Sequence, residues 1–423
     1  MTPTTKEPPV TTQARGGHRT SQSAEGEYPI RDIFRKFYPR YELAHPGLPE
    51  HKRKVARMIS RCKTGELGYT VSVCEECGAV HVHNASCNNR SCPCCQHPQE
   101  RKWVAERRTE LIPGIAYYHV VFTLPHALNG LFARNEPVLL NLLLKCVSST
   151  LLSLCADRRY MGARPAVMCV LHTWGQRLNY HPHVHVCLSG GGITASHGFS
   201  EARHKGFVIP EAVIARSFRG RFLCSLKKLH DGGKLDLPGH LAGPAQWKGF
   251  IEGLFSQRWL PFVKETFNGK GNAIEYLGRY AYRTAISNSR IVSVDDECVT
   301  FRYKDYADHN ASKVMTVKGT EFIDLFLRHV LPGGFSRIRY SGILSNCQRA
   351  RNLRLIHRLR GTKYAGNPFR GMNTRELILS LFNRDIACCA HCGGRHMLIV
   401  ESCRGKPNKI TPSRQSITIA AGC

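Results

Sequence analysis

The sequence predicts an α+β fold: a domain built on an antiparallel sheet, with a small zinc-binding module in front of it. Three observations carry that expectation. Strand-like segments interleave with helical ones but never settle into a regular strand-helix-strand repeat. The segment Tyr180-His181-Pro182-His183-Val184-His185-Val186 alternates histidine with apolar residues, so a strand there places its imidazoles on one face. Seven of nineteen cysteines fall between Cys62 and Cys95, in a stretch too polar to form an apolar core of its own.

Taken in order, residues 1–27 are rich in Thr, Ser, Gly, Pro and charge and read as a disordered leader. Residues 30–61 are helical, with Ile30, Ile33 and Phe34 on one stripe and a break at His45-Pro46-Gly47. The cysteine segment follows. A charged helix over 99–111 then stops at Pro113-Gly114. Residues 115–124 are β-branched and aromatic, a strand with His119 and Phe122 on opposite faces. A long apolar helix is expected at 137–158. Strands at 166–176 and 183–188 are expected to be joined by a polar turn, the second ending at Gly190-Gly191-Gly192. Helices are expected at 210–229, 246–267 and 273–283, and short strands at 291–294, 298–303 and 313–317. A helix over 321–330 comes next, and beyond Asn346 the chain is basic and loosely patterned. The segments group as a leader (1–27), a helical, zinc-binding and DNA-binding module (28–111), a catalytic domain (112–346) and a basic tail with a candidate zinc knuckle (347–423).

Sixty Lys and Arg against thirty-one Asp and Glu leave a formal charge of +29, spread along most of the chain. Such a balance points to a polyanion, and nucleic acid is the leading candidate. No apolar run reaches the roughly 18 residues of a membrane span. The first 27 residues lack the apolar core of a secretory signal, so a soluble, cytoplasmic and nucleoid-associated protein with no membrane partner is expected. No Gly-x-x-x-x-Gly-Lys occurs, which argues against a built-in helicase.

Clustered cysteines without an export signal argue for metal rather than disulfides. Cys74-x-x-Cys77 and Cys92-x-x-Cys95 are separated by fourteen residues, and two such turns complete a tetrahedral Zn²⁺ site. Cys62, Cys87, Cys94, His81 and His83 remain for a second ion. Cys389-x-x-Cys392, with Cys388 and Cys403, makes half a site. Cys146, Cys155 and Cys169 read as buried small hydrophobes.

His183 and His185 stand two apart on the histidine strand, roughly 7 Å between Cα atoms, and their rings can tilt onto one divalent ion. If residues 177–182 form the turn, Gln176 lies opposite His183 and offers a hard oxygen to Mg²⁺ or Mn²⁺; His172 and His181 are its rivals. Two imidazoles and one oxygen leave coordination positions open for a substrate phosphate. Tyr276 and Tyr280, four apart, share a helical face, and Arg279 and Arg283 each follow a tyrosine by three residues, placed to hold phosphate oxygens.

Residues 172–185 (HTWGQRLNYHPHVH), 276–280 (YLGRY) with 286–290 (ISNSR), and 329–339 (HVLPGGFSRIR) resemble the rolling-circle transposases of the insertion sequence 91 family. The cysteine module resembles that family's zinc-binding domain. The likeness spans roughly residues 32–346 and implies a His-hydrophobic-His endonuclease fold in which His183 and His185 ligate the metal. It implies further that Tyr276 and Tyr280 are nucleophiles that nick single-stranded DNA through a 5′-phosphotyrosine, and that Arg290 joins Arg279 and Arg283 in contacting DNA. Host replication or helicase proteins are then the expected partners. A replication initiator or relaxase, and a non-enzymatic zinc DNA-binding protein, are the alternatives.

Overall fold

Apolar alternation on two faces builds the centre of the molecule. The computed structural model describes residues 28–404 apart from 205, 207, 260, 269–277 and 279, and apart from the side chains of 264–268. In chain order its elements are α1 (Ile30–Ala44), α2 (Glu50–Ser60), β1 (Gly68–Cys74), β2 (Val80–Asn84), α3 (His97–Arg108), β3 (Ala116–Thr123), α4 (Asn129–Arg134), α5 (Glu136–Ala156), β4 (Arg164–Trp174), β5 (Tyr180–Ile193) and β6 (Phe199–Glu201). They continue with α6 (Glu211–Asp231), α7 (Pro244–Ser256), β7 (Phe262–Asn268), β8 (Ile291–Val294), β9 (Cys298–Asp305), β10 (Ala311–Lys318), α8 (Gly319–Leu327), β11 (Ile338–Gly342), α9 (Arg349–Leu359), α10 (Thr374–Phe382) and β12 (Met397–Arg404).

The central sheet runs β11-β4-β5-β3-β7, with β6 beside β5, and every pairing is antiparallel. One face, carrying Phe122, Leu171, Val184, Val186 and Leu188, is covered by α5, α6 and α7 in the largest apolar cluster. The other face carries Tyr117, Met168, Val170 and Cys187 in a second cluster with Trp103 of α3 and Leu353 and Ile356 of α9. The histidines lie on this second face. A third cluster joins Phe34, Phe37 and Tyr41 of α1 to Phe322 and Phe326 of α8, to Phe301 of β9, and to Cys62, Cys87, Cys92 and Cys95. The cysteine module therefore packs directly against the segment that follows the sheet.

Several expectations change here. β5 does not end at Gly190 but runs through to Ile193, because the glycines let neighbouring backbone approach: a Cβ on Gly192 would lie 2.3 Å from the Arg164 carbonyl oxygen. The helix expected at 246–267 stops at Ser256, and Phe262–Asn268 instead adds an edge strand beside β3. Pro261 lies between the two, where a helix could not continue without losing a hydrogen bond. Contrary to the expectation that no apolar run is long enough, α5 is long and apolar enough to cross a membrane by length and composition. Its Leu139, Leu140, Leu143, Val147 and Leu151 are instead buried in the core. The helix expected at 273–283 lies mostly outside the described residues, of which Gly278, Tyr280 and Ala281 are helical. The described part of the tail, to Arg404, forms α9, α10 and β12, none of which the loose pattern announced.

Candidate functional site

Strand register assembles the site. His172 of β4 lies directly across from His183 of β5, and Val170 across from His185, so three imidazoles converge on one face with ligand atoms within 4.8 Å of one another. The turn occupies 175–179 rather than 177–182, closed by the Gly175 N–H donating to the Asn179 carbonyl at 2.9 Å. Leu178 takes a left-handed φ of 59° to bury its side chain in the third cluster. This register corrects the placement of Gln176. It sits at the loop tip, where its amide donates to the Tyr306 hydroxyl at 2.9 Å and its oxygen accepts from the Lys304 N–H. Gln176 is therefore away from the cluster, and His172 occupies the third position.

The rings are held in fixed tautomers. His172 Nε2 donates to the Tyr280 carbonyl at 2.7 Å, and His183 Nδ1 donates to the His181 carbonyl at 2.7 Å. His172 Nδ1 and His183 Nε2 are left with lone pairs. His185 Nδ1 is 3.0 Å from Nε2 of His119 on the neighbouring strand, a contact that frees His185 Nε2 when His185 is the donor. His119 is a residue that sequence reasoning assigned to a face but to no role; its position on the same face of a paired strand was the available signal. Burial holds His172 and His185 well below the usual imidazole pKa and brings His183 and His119 down to about 4. All four are neutral at pH 7, as metal ligation and its supporting bonds require.

Tyr280 closes the site. Its ring centroid is 4.2 Å from that of His185 and 5.9 Å from that of His172, while its carbonyl is tied to His172. Tyr276 and Arg279 lie outside the described residues. Arg283 is exposed, and its charge acts on His172, His183 and His185. Arg337, in the third of the sequence blocks, donates to the Arg283 carbonyl at 3.3 Å, and burial lowers its pKa to about 10. The charged or titratable neighbours acting on it are Arg90 and Tyr282, neither a carboxylate. Both guanidinium groups act on His172, so the pair places positive charge beside the histidines. Arg290 is placed differently from the expectation. Its guanidinium donates to the carbonyls of Arg302, at 2.7 Å, and Gln176, and it lies over the Phe301 ring. It braces the 175–179 loop.

The cysteines also regroup. Cys92 and Cys95 converge with Cys62 and Cys87, all four buried, with Cys87 and Cys95 sulfurs 3.6 Å apart. Cys74 and Cys77 do not complete that site; they face Cys389 and Cys392. The single Cys74-Cys77-Cys92-Cys95 site is thus replaced by two four-cysteine clusters. Spacing alone could not separate these pairings, because a Cys-x-x-Cys turn accepts any second turn that folding brings to it. Cys94 is not one of the four converging sulfurs; it contacts Cys92 and accepts from the Asn288 amide nitrogen at 3.8 Å.

A family model described as "Putative transposase" matches residues 166–351, and one described as "Transposase zinc-binding domain" matches residues 33–124. The chain is 37% identical over 377 residues to "Putative transposase y4qJ" of Sinorhizobium fredii, covering 88% of this chain and 94% of that protein. The chain belongs to this transposase family. It is also 27% identical over 365 residues to "Transposase for insertion sequence element IS801" of Pseudomonas savastanoi pv. phaseolicola, covering 84% of each. No solved structure matches the chain. The three histidines, Tyr280, Arg283 and Arg337 all lie within the first match, and the buried four-cysteine cluster lies within the second. Family membership makes the chain an enzyme acting on DNA, with Zn²⁺ in its cysteine module.

Proposed function

We propose that this transposase nicks and rejoins single-stranded DNA in rolling-circle transposition, through a 5′-phosphotyrosine formed on Tyr280 or Tyr276. The observation that carries the reading is the Tyr280 ring over a neutral three-histidine cluster. A phenol is a weak nucleophile at neutral pH, and here it sits where positive charge and a ligand set converge. The phenolic oxygen attacks phosphorus and gives up its proton, the bond from phosphorus to the 3′ oxygen breaks, and that oxygen takes up a proton and leaves as a hydroxyl, so that no net proton is consumed. The link conserves the phosphodiester's bond energy, so another 3′ hydroxyl can reverse the step without a nucleotide cofactor. Arg283 and Arg337 hold the phosphate oxygens and offset their charge.

The donor set fits a divalent ion: three neutral imidazoles with their other nitrogens hydrogen-bonded. His172, His183 and His185 would hold it. Bound there, the ion supplies Lewis-acid polarisation of the scissile phosphate. Because a third imidazole stands where a carboxamide oxygen was expected, the site suits Mn²⁺ better than Mg²⁺. The basic surface suits single-stranded ends, with host replication or helicase proteins opening the duplex in the cytoplasm. The names of the relatives favour transposition over replication initiation.

The reading is tested by incubating the protein with single-stranded oligonucleotides and Mn²⁺ or Mg²⁺. The expected result is a covalent adduct on a denaturing gel, forming at lower Mn²⁺ than Mg²⁺ concentration; no adduct with either ion contradicts it.

A pH dependence follows from the buried histidines. Their folded pKa values lie below the unfolded value near 6.5, so the unfolded chain takes up protons first as pH falls. Their contribution to stability is complete above about 6.5 and is lost as pH drops towards about 4, the value for His183 and His119. Mn²⁺ binding followed by electron paramagnetic resonance should be constant from pH 8 to about 6 and weaken as the pH approaches 4. Binding that halves near pH 6.5 would show ordinary, solvated imidazoles.

A further inference from the structure

We infer that the cluster Cys74, Cys77, Cys389 and Cys392 is a second zinc site, split across the chain, that clasps the carboxy-terminal arm onto the amino-terminal module. The arm lies outside both family matches, which end at residues 124 and 351.

The two halves are built alike. Cys74-Glu75-Glu76-Cys77-Gly78 and Cys389-Ala390-His391-Cys392-Gly393 have the same Cys-x-x-Cys-Gly form. Each glycine has positive φ, 70° at Gly78 and 78° at Gly393. Each also closes its turn by donating to the carbonyl of the first cysteine, at 2.8 Å from Gly78 to Cys74 and 2.9 Å from Gly393 to Cys389. A turn so closed points both sulfurs to the same side. The halves meet with Cys74 and Cys392 sulfurs 3.6 Å apart and Cys77 and Cys389 sulfurs 3.7 Å apart. Tetrahedral zinc with bonds of about 2.3 Å places its sulfurs at about that separation. Backbone N–H groups of His391 and Gly394 donate to the Cys389 and Cys392 sulfurs at 3.4 and 3.3 Å, and His81 Nε2 is 3.2 Å from Cys389. These contacts suit thiolates.

The arm needs such a site. β12 pairs with β1 from Gly68 opposite Arg404 to Cys74 opposite Met397, yet its residues are almost all exposed. α10 buries none of its residues. After Ile356, Cys389 is the only buried hydrophobic among the described residues. With no core of its own, the arm depends for its fold on the energy of metal binding. The two clusters also differ in access: Cys77 and Cys392 are exposed, whereas all four cysteines of the other cluster are buried. The clasp should therefore surrender its zinc first.

Native mass spectrometry of the full chain should find one zinc ion fewer in Cys389→Ser/Cys392→Ser than in the wild type. Hydrogen exchange of that variant should show loss of protection in β12 and β1 with α1 and α8 unchanged. A zinc-binding dye should remove one equivalent from the wild type at least tenfold faster than the second. An equal zinc content in the wild type and the variant, or undiminished protection of β12 in the variant, would each overturn the proposal.

Discussion

Alanine at both His183 and His185 lowers the rate of single-strand cleavage about 100- to 1000-fold at saturating Mn²⁺, the scale of several kcal/mol that a metal contributes to a charged transition state. Both rings point into one cluster with His172, and their outer nitrogens are already engaged, so the substitution removes ligands rather than surface contacts. His172→Ala should lose a comparable factor, since it also releases the Tyr280 carbonyl. Gln176→Ala, which removes side-chain hydrogen bonds to Tyr306 and Lys304 and leaves the carbonyl that Arg290 holds, should stay within about threefold of wild type. Cleavage rates of the three proteins on one oligonucleotide decide the matter. A large loss in Gln176→Ala with His172→Ala unaffected would restore the oxygen ligand and reverse the assignment.

The second large effect is on folding. Cys92→Ser breaks the buried cluster, where Cys62, Cys87, Cys92 and Cys95 pack among Phe34, Tyr38, Phe322 and Phe326. A structural zinc contributes about 10–16 kcal/mol in small modules, comparable with the whole stability of a domain, about 5–15 kcal/mol. Because this core also holds α8 and β9, its loss should extend beyond the cysteines to the segment beside the active site. The variant is expected to be insoluble, or to lack a cooperative thermal transition by circular dichroism, whereas Cys389→Ser/Cys392→Ser keeps one. Wild-type melting behaviour in Cys92→Ser would mean that the cluster does not carry the fold.

Much of this was legible in the chain itself. Period-two histidines placed His183 and His185 on one face, and Ile30, Ile33 and Phe34 declared the buried stripe of α1, because local periodicity survives folding. What failed depended on contacts between distant segments. Gln176 was displaced by a turn shifted towards the amino terminus, and a turn's position is set partly by where Leu178 finds a core, which the local sequence does not show. The cysteine pairing depended on β12 returning to β1, more than three hundred residues away in sequence. Gly190 to Gly192 looked like an end because glycine weakens a strand interior, but here it answers a close backbone approach. Arg337 stood in a recognised block without a role until its burial beside Arg283 became visible.

The most direct test of the central claim is to trap the protein on a single-stranded oligonucleotide with Mn²⁺, digest it, and identify by mass spectrometry the peptide that carries the nucleotide. The account predicts a 5′-phosphotyrosine on Tyr280 or Tyr276, lost when both are changed to phenylalanine. An adduct on any other residue, or one that persists in the double variant, would contradict it.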